Sequence, residues 1–186
     1  MIKAPSNGLP GSTKALQITT LRSGIPGHNT NDVQQDDLIL GIATRIGSTI
    51  QASEMPSCVV RVYLPEASLW ENRSGPHFGV RLGARTTARK RREGLFAIGS
   101  EMRNEPYWPG IWIHFNSETS RNVEKDSAYL KIRSNSRGND FMSKEIPSEQ
   151  FGWWTFGMSM SGDGQILYFA KPGVENLTMA VHLTSQ

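Results

Sequence analysis

The clearest pattern in the chain is an alternation of large and small side chains from Trp153 to Met160, followed by Asp163-Gly164 and a second alternating run, Gln165–Ala170. One parity of the first run holds the large apolar residues, which are Trp154, Phe156, Met158 and Met160. Because alternate side chains of a strand point to opposite faces, this parity predicts a core face. Asp-Gly suits a tight primed turn, whose two central residues have positive φ. The pattern predicts an antiparallel hairpin with one apolar face, which needs a second layer to cover it.

Short apolar runs of the same kind recur along the chain, separated by turn-forming residues. The predicted strands are Lys14–Leu21, Leu38–Ala43, Cys58–Leu64, Phe78–Leu82, Leu95–Ile98, Ile111–Phe115, Ala128–Ile132, Trp153–Met160 and Gln165–Ala170. We find no convincing helix, no internal repeat and no linker between domains. The sequence therefore predicts an all-β sandwich or barrel over residues 13–186, preceded by a flexible leader at residues 1–12. Thr178–Leu183 is the candidate for a closing strand, and without one an exposed edge would invite pairing with another chain.

Four stretches of the chain resemble the concanavalin A-like lectin/glucanase superfamily. They are Gln35–Leu40, Arg61–Pro65, Trp70–Arg81 and Trp154–Thr178, and the resemblance covers roughly residues 14–183. It implies a jelly roll of two curved antiparallel sheets, whose concave face usually carries a carbohydrate site, and an extracytoplasmic or secreted protein. Members of the superfamily include lectins, glycosidases, polysaccharide lyases and structural modules. The resemblance alone therefore does not fix the function.

Composition limits the other possibilities. A chain of 186 residues with 37% hydrophobic content can bury one substantial core. No window is apolar enough for a transmembrane span, the single cysteine Cys58 excludes an internal disulfide, and the first part of the chain lacks the apolar core of a signal peptide. The histidines are scattered without metal-ligand spacing, and the hairpin turn explains Asp163 without a calcium ion. We expect no metal and no cofactor.

Positive charge is concentrated in one segment. Its basic residues, with no acidic residue among them, are Arg81, Arg85, Arg89, Lys90, Arg91 and Arg92. The whole chain has a net charge of only +3, so the positive charge is local. We interpret the segment either as a surface for an anionic polysaccharide or another phosphate- or sulfate-bearing surface, or as a solvated loop between Val80 and Leu95. No recognised nucleic-acid-binding module accompanies it, so nucleic acid is not an expected partner.

Two kinds of polysaccharide chemistry can be compared with the sequence. Glucanases of this superfamily place three carboxyl groups on one strand, and the closest match, Glu124-Lys125-Asp126, lacks the last one. Alginate-lyase-like jelly rolls carry three segments that this chain matches in part and in order, at Arg85–Arg89, Trp112–His114 and Tyr168–Gly173. That resemblance implies that Arg85 neutralises a substrate carboxylate while His114 and Tyr168 act as base and acid. A lyase is therefore the alternative function, and a glucanase is not expected.

Tryptophan offers another route to a sugar site, because the C–H faces of pyranose rings stack on flat aromatic rings. Trp153 has the opposite parity from Trp154, and Trp112 shares a strand face with His114. The expected ligand-binding residues are Trp112, His114, Trp153 and Tyr168, with Arg81 and Arg85 beside them. The opposing interpretation is that all five tryptophans fill the core. We expect a non-catalytic module that binds a glycan or another partner. A polysaccharide lyase and a purely structural sandwich are the alternatives, and the oligomeric state is open.

Overall fold

The computed structural model describes residues 1–20, 36–92, 98–133 and 139–186. The strands are β1 Ile2–Lys3, β2 Lys14–Ala15, β3 Ser57–Leu64, β4 Gly75–Arg81, β5 Ala84–Arg91, β6 Ser100–Tyr107, β7 Gly110–Asn116, β8 Ser127–Arg133, β9 Asp140–Ile146, β10 Gly152–Met160, β11 Ile166–Pro172 and β12 His182–Ser185. The helices are α1 Ile42–Ile46 and the single-turn 3₁₀ segments Ala52–Glu54, Ala67–Leu69, Ser148–Gln150 and Met179–Val181. The predicted all-β class is confirmed. None of the helices in these ranges is long and apolar enough to cross a membrane.

Two four-stranded antiparallel sheets form the body of the protein. The first sheet has the strand order β12-β11-β10-β3, and the second has the order β4-β7-β8-β9. The predicted hairpin is the centre of the first sheet, where Met160 pairs with Ile166 at the closed end. Its turn differs from the prediction, because only Gly164 has positive φ, at 89°. The amide of Gly164 donates to the carbonyl of Ser161, which gives a three-residue loop rather than a two-residue primed turn.

The core lies between the two sheets and follows the period-two pattern of the strands. In the second sheet the apolar residues of β7 and β8 point inward, among them Leu130 and Ile132, both with 0% exposure. In the first sheet Trp154 and Tyr168 point toward them and are equally buried. Trp70 stacks on Phe151 with ring centroids 5.0 Å apart and closes one end of the core. This arrangement is a β-sandwich, and the chain itself covers part of the outer face of the first sheet, where Thr155 is 0% exposed and Leu177 lies against Gly157.

Strands β4 and β7 continue beyond the sandwich as a two-stranded extension, β5 with β6, which we call the arm. Arg81 pairs with Gly110 at the end of the second sheet, and Ala84 pairs with Tyr107 at the start of the arm. Two residues separate these pairs on each strand, so the register does not change. The amide of Leu82 donates to the carbonyl of Pro109 at 2.9 Å across this junction. Every second residue along β4 and β5 therefore lies on the same face, from the sheet into the arm.

Several strand predictions need correction. Leu38–Ala43 does not form a strand, because Ile42–Ile46 is a short helix and the preceding apolar side chains are exposed. Only Lys14–Ala15 of the predicted first strand is extended and paired, and it pairs with β1 inside the segment predicted as a flexible leader. The predicted strand Leu95–Ile98 lies outside the described residues except for Ile98, which is not in a strand. Most of the basic segment, for which a loop was one interpretation, is strand, because Arg81 ends β4 and the residues from Arg85 to Arg91 lie in β5. The closing strand predicted at Thr178–Leu183 begins later, since Met179–Val181 is a 3₁₀ turn and β12, which pairs with β11, is His182–Ser185.

The two-sheet core predicts which substitutions destabilise the protein. We expect Leu130→Ala to lower the free energy of unfolding by about 2–5 kcal/mol, because it leaves a cavity between the sheets. Val59→Ala is the matched control, since Val59 is 50% exposed on the outer face of an edge strand, and we expect a loss below about 1 kcal/mol. Urea denaturation of the two variants and the parent protein makes the comparison. Equal losses would contradict this assignment of faces.

Candidate functional site

The structure does not bring the predicted site residues together. Trp112 and His114 lie on the outer face of the second sheet, opposite the buried parity of β7. Trp153 lies on the outer face of the first sheet, and Tyr168 lies in the core between the sheets. Arg81 is at the end of β4 and Arg85 is in the arm. The six residues therefore belong to four different surroundings, of which the outer face of the second sheet holds the largest number.

Trp153 is covered by the beginning of the chain. Its indole Nε1 donates to the carbonyl of Ser6 at 3.0 Å, and Gly8 is so close that a Cβ there would lie 3.3 Å from the ring. Tyr63 packs against the other side edge-on, with centroids 5.4 Å apart. Because the protein's own backbone and side chains contact this indole on several sides, little of its surface is left for a ligand.

Tyr168 is fully enclosed, and its hydroxyl donates to the carbonyl of Arg133 at 2.9 Å. Burial, and then a hydrogen bond with Tyr107, raise the pKa of this phenol far above its ordinary value. A proton donor or acceptor for a polymer must contact that polymer, and this hydroxyl cannot do so without separation of the sheets. The structure therefore does not assemble the lyase constellation of Arg85, His114 and Tyr168.

Trp112 lies across the outer face of the second sheet over two glycines. A Cβ on Gly79 would lie 2.5 Å from Cδ1 of the indole, and one on Gly110 would lie 2.6 Å from Cη2. Gly79 is directly opposite Trp112 on β4, and Gly110 precedes it by two residues on β7. The absence of two side chains thus lets the indole rest on the backbone at both of its ends. The ring is supported from below and is half-buried.

A second indole repeats this arrangement where the sheet joins the arm. Trp108 is 47% exposed, and a Cβ on Gly83 would lie 3.0 Å from its Cζ3. The unchanged register places Gly83 opposite Trp108, on the same face as Gly79 and Trp112. Trp108 was not among the residues expected to bind a ligand, and its partnership with Trp112 was not predicted from the sequence. The sequence contains the pattern, a tryptophan opposite a glycine at two positions of one two-stranded ribbon. It can be recognised only when the pairing register of the strands is known. We call Trp108 and Trp112, with the glycines beneath them, the tryptophan face.

Guanidinium groups lie over both indoles. The Cζ atom of Arg133 is 5.0 Å from the ring centroid of Trp112, and that of Arg81 is 5.3 Å from the ring centroid of Trp108. Contacts of this kind are attractive because a cation meets the negative face of the ring. A carboxylate holds each guanidinium, Asp140 for Arg133 at 2.9 Å and Asp37 for Arg81 at 2.7 Å. The tryptophan face therefore carries aromatic surface beside directed hydrogen-bond donors.

His114 and Lys131 extend this face along the second sheet, where Lys131 is the cross-strand partner of Trp112. Burial, and then the positive charge of Lys131, lower the pKa of His114 below its ordinary value of 6.5, against a hydrogen bond with Asn116. The imidazole is therefore neutral at neutral pH. Its Nδ1 atom is buried without a hydrogen-bond partner among the described residues. Within the same residues, no group of three His, Cys, Asp or Glu side chains is arranged to hold a metal ion.

The buried tyrosine gives a prediction for stability. We expect Tyr168→Phe to lower the free energy of unfolding by about 1–2 kcal/mol, because the carbonyl of Arg133 loses its donor inside the core. Tyr129→Phe is the control. Tyr129 lies on the outer face of the second sheet, so we expect this substitution to lower the free energy of unfolding by less than about 0.5 kcal/mol. Urea denaturation measures both. A Tyr168→Phe protein as stable as its parent would contradict the enclosed hydrogen bond.

The lowered pKa of His114 gives a prediction for pH. Above the ordinary value of 6.5 the ring is neutral in both states and contributes no pH dependence. As the pH falls below that value the unfolded chain takes up the proton first, so the folded state loses stability. We therefore expect the melting temperature to fall more steeply from about pH 7.5 to about pH 5 in the parent than in His114→Gln. Parallel curves for the two proteins would contradict the assignment.

Comparisons with protein-family models, with curated proteins and with solved structures find no match to this chain. The resemblance to the concanavalin A-like superfamily therefore stays a prediction from the sequence, while the all-β sandwich rests on the strands and their packing.

Proposed function

We propose that this protein is a non-catalytic glycan-binding module, and that the tryptophan face is its binding site. The observation that carries the proposal is the position of Trp112, laid across the backbone at Gly79 and Gly110. The backbone lies beneath each indole and a guanidinium lies over it, so a sugar ring reaches the flat apolar surface by displacing Arg133 from Trp112 or Arg81 from Trp108. The proposal keeps the function expected from the sequence and moves the site to a face that includes Trp108.

The support beneath the indoles matters for affinity. Binding is weakened when a side chain must be immobilised as the ligand arrives. The sheet already restricts Trp112, because its two ends rest on glycines and Arg133 lies over the ring. Two indoles on one face, Trp108 and Trp112, are four residues and so about 14 Å apart along the ribbon, and they provide two stacking positions for separate sugar units of one chain. A site with several such positions suits a chain of sugars rather than one monosaccharide.

The polar groups around the indoles can orient a bound sugar through hydrogen bonds. The guanidinium of Arg133 and the ammonium of Lys131 both approach Asp140, at 2.9 Å and 3.8 Å. Arginine offers five donors in a fixed plane, and a carboxylate offers acceptors for sugar hydroxyls. Tyr168, the acid that the lyase alternative needs, is enclosed in the core, which favours binding over the lyase alternative.

Removal of the indole tests the proposal. We expect Trp112→Ala to lower affinity for the bound polysaccharide by at least about tenfold, because truncation of a hot-spot tryptophan costs about 2 kcal/mol or more and tenfold corresponds to about 1.4 kcal/mol. Gly79→Ala should weaken binding as well, because its Cβ would push the indole away from the sheet. Affinity gel electrophoresis, followed by calorimetry, measures this with laminarin, xylan, alginate, polygalacturonate and heparin.

Trp153→Ala is the matched control, because it removes an indole from the opposite face that the chain itself covers. We expect it to bind the same polysaccharides as the parent. Binding lost in Trp153→Ala and kept in Trp112→Ala would place the site on the other sheet. A folded parent protein that retains none of the polysaccharides would contradict the proposed function and favour a structural sandwich.

A further inference from the structure

One face of the arm carries three arginines, and none of the residues of β5 and β6 on that face is acidic. Counted along β5, Arg85, Arg89 and Arg91 have the same parity, and we call them the arginine row. The residues directly opposite them on β6 are Pro106, Met102 and Ser100, and the remaining pair on this face is Thr87 with Asn104. Arg89 donates to the hydroxyl of Ser100 at 2.5 Å. Arg85 and Arg91 form no ion pair within the described part of the chain.

On the opposite face of the arm, basic side chains form ion pairs with acidic ones. Lys90 pairs with Glu105 at 2.9 Å, and Glu101 is within 4.0 Å of Arg92 and also contacts Arg103. Both glutamates of β6 thus lie on this side, together with three basic residues. Among the residues of β5 and β6, the acidic side chains are thus confined to one face, and the arginine row on the other face carries positive charge only.

The arginine row and the tryptophan face are one continuous surface. The register is unchanged through the junction, so Gly79, Arg81, Gly83 and Arg85 follow one another on the same side of the ribbon. Trp112 and Trp108 lie opposite the two glycines on this side. From Gly79 to Arg91 the strip is about 40 Å long at about 3.4 Å per residue. Indoles occupy its first half and guanidinium groups its second half.

We propose that this strip binds an extended acidic polysaccharide, whose sugar rings stack on Trp112 and Trp108 while its carboxylate or sulfate groups contact the arginine row. The inference rests on the proposed function and adds the class of glycan and the length of the site. Guanidinium groups form paired hydrogen bonds with carboxylates and with other oxyanions of similar shape. Arg89 and Arg91 are about 7 Å apart along one strand face, so a polymer with repeated negative charges can contact both.

The same strip is less suited to single-stranded nucleic acid. Proteins that bind single strands place aromatic side chains among their basic residues, so that successive bases stack. Along the arginine row the neighbouring side chains are Thr87, Met102 and Asn104, and none of them is aromatic. A polymer that carries its charge on the sugar ring itself, or on groups attached to it, needs no stacking surface at each arginine.

The test compares two triple variants that remove equal charge from opposite faces of the arm. The first is Arg85→Gln with Arg89→Gln and Arg91→Gln, and the second is Lys90→Gln with Arg92→Gln and Arg103→Gln. The probes are alginate for carboxylates, heparin for sulfates, laminarin as a neutral polysaccharide and a single-stranded DNA oligonucleotide. Thermal melting and tryptophan fluorescence establish that each variant is folded. Binding is measured by calorimetry at two salt concentrations.

We expect the first variant to bind alginate or heparin at least about tenfold more weakly than the parent, with a weaker salt dependence, since fewer counterions are displaced by fewer charged contacts. The second variant should bind within about threefold of the parent, as exposed ion pairs contribute little. Whichever of the two acidic polymers loses more affinity identifies the preferred anionic group.

Three results would overturn the inference. An equal loss of affinity in both variants would mean that binding depends on net charge and not on the arginine row. A parent that binds laminarin as tightly as the acidic polymers, with no effect of either variant, would leave the glycan-binding function and remove the acidic specificity. Tighter binding of DNA than of any polysaccharide would replace the glycan by nucleic acid and contradict the proposed function as well.

Discussion

The burial of Trp154 and Tyr168 against Leu130 and Ile132 between the two sheets determines the direction of every other side chain on the central strands. Strand geometry allows no intermediate choice, because a shift by one residue would exchange the inner and outer faces of a whole strand. Once these residues point inward, Trp112 and His114 must point outward from one sheet and Trp153 from the other. The core therefore decides which aromatic residues are available to a ligand, although none of its members contacts one.

The strands with a strong apolar alternation could be predicted from the sequence, and those without it could not. β10 and β11 bury large residues on one side, and the pattern located both to within one or two residues. β5 and β6 extend beyond the sandwich and have no core to cover, so they carry polar residues on both faces and read as a loop. The strand prediction at Leu38–Ala43 was wrong for the opposite reason. It is apolar enough for a buried strand, yet its side chains are exposed beside a short helix.

For a related reason, the site could be predicted only in part from the sequence. Trp112 was recognised as a candidate from residue type and parity, and Arg85 from the local concentration of basic residues and from the resemblance to a lyase segment. Trp108 and Gly79 acquire their meaning from the partner opposite each of them, and this depends on the register of two strands separated by the whole arm. Tyr168 matched a lyase segment in sequence, but its parity on β11 turns it toward the core. Short motifs record the order of residues and not the face on which they lie.

Pro109 removes one backbone hydrogen bond at the junction between the sheet and the arm. Proline has no amide hydrogen, so Leu82 donates one hydrogen bond across the junction and receives none in return from Pro109. Trp108 packs on Gly83 and beneath Arg81 at the same point, so side-chain contacts join the two strands where the backbone hydrogen bond is missing. One tryptophan of the proposed binding site is therefore also a structural contact of the ribbon, and its replacement would affect the fold as well as a ligand.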